Sequence, residues 1–221
     1  MVGERAVFYP LWLVVLAWAA LVLAGLSAAL VGLDITRHRQ AMTVMEITWP
    51  VTALYLGPLG LWAYQAFGRE GVRPHKSFRQ RVFVSATHCG GGCTLGDILS
   101  ENALAAHRVT IAQSPLITMF VCDFVAAYAI GILFQYWPIR ASTKLTRGRA
   151  LRAAIQADTL SLVAFEAGLF GWMALVHPLI PRPSPQSPVF WFAMQIGMAV
   201  GFLTTLPANA WLVRAGIKGA L

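Results

Sequence analysis

Hydrophobic and polar positions fall into long blocks, without the short alternations of a soluble fold. Apolar runs cover residues 8–33, 45–67, 115–137, 153–176 and 189–213. Each is long enough for a helix to cross a hydrocarbon layer, which takes about 20 residues. A sixth segment, 83–105, has helical length but carries Thr87, His88, Thr94, Asp97, Ser100, Glu101 and Asn102 among its glycines. Hydropathy alone does not identify it as a span. The pattern predicts an all-α membrane bundle in one domain, 1–221, with no connection long enough to hold a second.

Charge decides the sixth segment. If all six cross, one side receives Arg5, the loop 69–81, the loop 140–152 and the tail, and with them thirteen of the 17 Lys and Arg. Arg37, Arg39, Arg108 and Arg182 fall on the other side. If 83–105 did not cross, the two loops of five charges each would lie on opposite sides. The positive-inside rule favours the first arrangement. Six transmembrane helices with both termini in the cytoplasm are therefore expected.

Composition agrees. The chain of 221 residues is 57% hydrophobic and 12% charged, with mean hydropathy +0.63. The net charge of +8 sits in loops between spans, so it reads as a topology signal and not as a nucleic-acid surface. The first run is about twice the h-region of a signal peptide and reads as a retained helix. Trp12, Trp49, Trp62, Trp137, Trp172, Trp191 and Trp211 fall near span ends, as aromatic belts do. Pro58 and Pro207 predict kinks in the second and sixth spans, and Gly197 and Gly201 a close helix contact.

The third segment holds the candidate chemistry. Charged groups in a bilayer face a cavity or a partner, so this helix is expected at the centre, wrapped by the other five. Gly90, Gly91, Gly92 and Gly96 admit close neighbours, and three successive glycines make a local break plausible. At about 1.5 Å rise per residue, Cys93 lies near the midplane. Asp97 and Asp123 fall roughly 4–5 Å outward and Glu166 about 2 Å outward on the same scale. His88, Cys89 and Asp158 fall roughly 7–11 Å toward the cytoplasm. Two polar layers are expected.

Cys89, Cys93 and Asp97 recur every four residues and share one helix face. A thiolate pair beside an imidazole suits Zn(II) or Cu(I), which makes His88, Cys89, Cys93 and Asp97 the candidate metal ligands. Small buried packing is the alternative for the cysteines, and a hydrogen bond between helices for His88. Asp97, Asp123 and Asp158 are harder to explain as packing. With Glu101 and Glu166 they are candidates for a transport path or proton coupling, against the alternative of a buried polar network. Glu46 reads as interfacial or capping. Met173, Met194 and Met198 read as core filling, and Cys122 as packing.

Some chemistries are disfavoured. No lysine lies inside a span, which argues against a retinal Schiff base. His88 and His177 stand about 25 Å apart in depth, too far for two axial ligands of one haem. There is no His-Glu-x-x-His motif and no phosphate loop.

The run His88-Cys-Gly-Gly-Gly-Cys-Thr-Leu-Gly-Asp97 resembles the signature of an uncharacterised bacterial membrane family, domain of unknown function four-three-nine-six. Asp123-Phe124, Gly131–Tyr136, Ala157–Ser161, Phe170–Met173 and Arg214–Lys218 extend the resemblance over most of the chain beyond Trp49. It implies an integral protein of the bacterial inner (cytoplasmic) membrane and brings no activity with it.

The expected function is a transporter or permease for a soft or borderline metal cation, with protons as a coupled ion. The alternative is a membrane-embedded metal or thiol oxidoreductase in which Cys89 and Cys93 cycle, which needs the glycines to break the helix. Its partners are then the lipid bilayer and the cation, with no nucleic acid; a homo-oligomer is compatible with the sequence.

Overall fold

The computed structural model describes residues 9–70, 76–107, 110–179 and 185–218. Arg5, Arg73, Arg108 and Arg182, which entered the charge count, lie outside the described residues, as does part of the proline-rich connection before Pro188. Among the described residues the chain is all-α, with seven α-helices and no strand. Four helices are long and apolar enough to cross a membrane: α1 (Leu11–Arg37), α5 (Pro115–Ser142), α6 (Arg147–Val176) and α7 (Pro188–Arg214). α5 and α7 start on a shared local signal. Each has Pro at its first position, and the preceding Ser114 or Ser187 accepts a bond from a first-turn N–H. Both devices satisfy or remove donors that a helix start leaves unpaired.

The second apolar run departs from expectation. α2 (Thr43–Leu56) stops at Gly57, whose φ of +57° favours glycine. Pro58 opens the short α3 (Pro58–Ala63), which passes into a π-helical turn at Tyr64–Gly68. These pieces do not continue the line of α2; they double back along it. A Cβ on Gly60 would sit 2.9 Å from the Ala53 Cα, and one on Gly68 would strike the Trp49 ring. The Trp49 and Tyr64 rings are 5.6 Å apart. A straight helix would separate that pair by about 22 Å at 1.5 Å per residue. Residues 45–67 therefore form a helical hairpin whose two ends lie together, not a single span. Pro58 begins a helix here and kinks none. Trp49, expected in an interfacial belt, is 1% exposed inside the hairpin.

The hairpin is pinned to the end of α1. Asp34 accepts bonds from the Tyr64 hydroxyl at 2.8 Å and from Arg69 Nε at 2.9 Å and Nη2 at 3.1 Å. Glu46, in the first turn of α2, pairs with Arg39 at 2.8 Å and makes no cap.

The break expected at the glycines is absent. α4 (Phe78–His107) runs unbroken through Gly90, Gly91 and Gly92. Each glycine in a helix interior costs about 1 kcal/mol relative to alanine, but here neighbours cover the bare backbone. A Cβ on Gly91 would lie 2.6 Å from the Thr48 Cβ, one on Gly92 3.0 Å from the Gly131 Cα, and one on Gly96 would run into the Ala127 backbone. Close packing thus uses the missing side chains and holds the helix straight. Sixteen residues of α4 are buried, and it packs against α2, α5, α6 and α7. On the α6–α7 contact, Gly168 and Gly201 meet in the same way, 2.9 Å from an added Cβ to Cα.

The hairpin changes the direction of the first helices. α2 runs parallel to α4: Met45 packs in one core with Val84, Thr48 faces Gly91, and Leu54 shares a cleft with Thr94 and Ile98. So α1 ends, the hairpin opens and α4 begins at one end of the bundle. α7 finishes there too, since Ser85 bonds Asn209 at 2.9 Å. All thirteen described Lys and Arg stand at this end, here called the basic end. The described chain begins at the far end and finishes at the basic one. Six antiparallel crossings with both termini on one side do not fit that path.

Candidate functional site: two buried polar clusters

α4 carries one polar cluster toward each end of the bundle. Toward the far end, Asp97 and Glu101 of α4 converge with Asp123 of α5 and Glu166 of α6. All four are buried, with exposures of 0%, 4%, 0% and 1%. Glu166, Asp123 and Glu101 are the charged neighbours of Asp97. Asp123 is flanked by Glu101 and Ser100, and the Cys93 thiol lies beside Glu166. Among the described residues no lysine or arginine enters this chamber. Both oxygens of Asp97 have no hydrogen-bond partner among the described residues, and the other three have only one another, the Ser100 hydroxyl and the Cys93 thiol as close polar neighbours.

Glu101 also lines a cavity of about 470 Å³ at the far end, with Thr118, Met119, Met173, His177 and Phe190 around it. It is therefore the one carboxylate that belongs to both the chamber and the cavity. Helix spacing explains the arrangement. Asp97 and Glu101 are four residues apart on one face of α4, and Gly96 lets α5 approach until Asp123 stands opposite.

Toward the basic end the polar groups are paired. Asp158 of α6 is 0% exposed and accepts from Lys218 Nζ at 3.2 Å. Lys218 also donates to Ser161 Oγ at 2.9 Å and to Asn209 Oδ1 at 2.8 Å. Asn209 accepts from Ser85 and donates to the Thr205 carbonyl and hydroxyl, each at 3.0 Å. Thr205 donates to the Ser161 carbonyl at 2.6 Å. His88 lies within electrostatic reach of Asp158 and Lys218, yet neither ring nitrogen has a hydrogen-bond partner among the described residues.

The predicted residues therefore separate into groups. Asp97, Glu101, Asp123 and Glu166 come together. Asp158 stands apart with Lys218, and His88 sits near that pair. Cys89 and Cys93 are buried free thiols in the core between the two clusters, and Cys122 is a half-buried free thiol. Among the described residues no three His, Cys, Asp or Glu side chains are arranged to hold a metal ion. The expected ligand set of His88, Cys89, Cys93 and Asp97 is thus not gathered: Cys89 and Cys93 are neighbours, but His88 lies toward Asp158 and Lys218, while Asp97, two turns beyond Cys89, lies among the other carboxylates.

Lys218, Asn209 and Ser161 escaped the sequence reading. The lysine lies beyond the last span, so counting lysines inside spans missed one that folding brings into the bundle. The argument against a retinal Schiff base loses that premise. A signal existed: Gly216 just past α7 predicts a reversal of the tail, and it takes φ +68°. The N–H groups of Ile217 and Lys218 then return to the Leu212 carbonyl at 3.1 and 3.2 Å.

Residues 79–218 match the family described as domain of unknown function DUF4396, and the chain belongs to it. The matched region takes in α4 to α7 and closes on Lys218, so both clusters lie within it. α1 and the hairpin precede it. No curated protein and no solved structure matches the chain.

Proposed function

We propose that this family member is a membrane transporter or permease for a metal cation, exchanged against protons. The observation that carries the proposal is the chamber of four buried carboxylates, reached from the far-end cavity through Glu101 and facing no lysine or arginine among the described residues. Like charges in a water-poor space cannot all be ionised. Such a chamber holds protons when empty and releases them to a cation when loaded. Groups of this kind inside membrane helices mark ion paths and proton relays.

In this reading Glu101 receives the ion from the cavity, and Asp123, Asp97 and Glu166 form a first station, a carboxylate-lined stretch of path where protons are exchanged, since no three described side chains are gathered to hold a metal as they stand. Cys93, Cys89 and His88 continue the polar line along α4 toward Asp158. The first station is built of oxygen, which suits a hard or borderline ion such as Zn(II) better than Cu(I). The oxidoreductase alternative has the two thiols as neighbours on α4, but the helix is continuous there and would have to open for them to form a disulfide.

The proposed membrane arrangement has five crossing helices, α1 and α4 to α7, with the hairpin entering from the basic end. The positive-inside rule places that end in the cytoplasm of a bacterial inner membrane. The C-terminus is then cytoplasmic and the start of α1 external.

Zinc influx and proton efflux from proteoliposomes test the function. Wild-type protein should exchange the two, and Asp97→Asn should abolish both fluxes. Equal fluxes from the two proteins would overturn the proposal.

A further inference from the structure

The pocket at the basic end is already occupied by a cation, the chain's own. The Lys218 ammonium has three protons to donate, and three oxygens receive them: Asp158 Oδ1, Ser161 Oγ and Asn209 Oδ1, at 3.2, 2.9 and 2.8 Å. Its residue is 3% exposed. The lysine reaches this place on a short turn, 215–218, that follows the end of α7 at Arg214 and reverses at Gly216.

Behind the ammonium the pocket is unfinished. Asp158 Oδ2 and both His88 nitrogens are buried with no hydrogen-bond partner among the described residues. Gly131 supplies the space, since a Cβ there would approach Asp158 Oδ2 to 3.0 Å. A purely structural ion pair would be expected to satisfy its second carboxylate oxygen, because an unpartnered buried polar atom is costly. Oxygen donors around a charge-matched ammonium are also the donors that hold a small hard cation.

We propose that Asp158, Ser161 and Asn209 form a second cation station, and that Lys218 is its tethered resident, displaced when a free cation takes its place. One carboxylate among three oxygens selects a singly charged, oxygen-seeking ion of ammonium-like size. The station is a separate binding site: its preference for a monovalent ion differs from the metal of the proposed permease, and neither reading depends on the other.

The test is the melting temperature of full-length Lys218→Met protein in detergent, titrated with ammonium, potassium or N-methylglucamine chloride. Ammonium or potassium should raise it saturably by several degrees, as a ligand bound only to the folded state does. The bulky N-methylglucamine should not. Wild-type protein should show the same ion preference only at higher salt, where the free ion competes with Lys218, and the Asp158→Asn/Lys218→Met double variant should show none. An equal response to all three salts, or the same response in the double variant, overturns the proposal. If Lys218→Met unfolds on extraction, ammonium or potassium in the buffer should recover it. Failure to recover it in any salt, while the double variant folds, equally overturns it. Ion-specific stabilisation together with absent wild-type flux would remove the permease reading and leave the station standing.

Discussion

The two polar clusters of α4 solve the same problem in opposite ways. Both place carboxylates where neither lipid nor bulk water can solvate them. At the basic end Asp158 has a lysine, a serine and an asparagine network around it. At the far end four carboxylates share a chamber that no described lysine or arginine enters. A paired cluster can be a permanent part of the fold. An unpaired one needs something from outside, a proton or an ion. Structure-making and ion-handling can thus be divided between two places on one helix.

Mutation should separate them. The largest effect is expected at Lys218. Removing one partner of a buried ion pair costs about 3–5 kcal/mol, so Lys218→Met without added cation should lose stability on that scale in chemical denaturation. Adding Asp158→Asn should recover most of it. Asp97→Asn should do the reverse, leaving stability unchanged or slightly raised while flux disappears. If Asp97→Asn instead destabilises as much as Lys218→Met, the chamber is a structural network and the contrast collapses.

Close packing of α4 sharpens the same comparison. Gly96→Val forces a side chain into the Ala127 backbone and should cost about 1–3 kcal/mol, as overpacking does. Flux should fall with it, because α5 carries Asp123. Gly57→Ala, at the hairpin tip, should cost a similar 1–3 kcal/mol, as alanine is strained at that backbone geometry. Flux per folded molecule should change less, since the hairpin contributes no carboxylate to the chamber. Comparable flux losses at matched stability would place the hairpin in the path.

The smallest effect is expected at the rim. Arg39 is largely exposed where it meets Glu46, and such pairs contribute about 0–1 kcal/mol. Arg39→Ala should therefore leave melting temperature and flux nearly unchanged. A marked drop in melting temperature would mean that the α1–α2 junction is held there and not by Asp34 and Arg69.

Much of the site could be read from residue order. Helix periodicity alone puts Asp97 and Glu101 on one face, and rise per residue brings Asp123 and Glu166 to nearly the same depth. The same arithmetic set Asp158 and His88 apart from them. It could not show Lys218, because depth counted along a helix ends where the helix ends, and the tail reverses. Nor could it distinguish a hairpin from a span in residues 45–67: both are apolar and of equal length. Only contacts such as Trp49 with Tyr64 separate them.

The sequence by itself determined an all-α membrane protein, its family, the polar character of α4 and the two depths at which charge accumulates. Those follow from local quantities: hydropathy, helix rise and motif. The tertiary structure decided which charges find partners, that the glycines keep α4 straight, and that α1 and the hairpin reverse the expected course of the first third of the chain. Those depend on contacts between residues far apart in sequence. Pairing of Lys218 with Asp158 spans sixty positions, and no spacing rule along one helix reaches across such a gap.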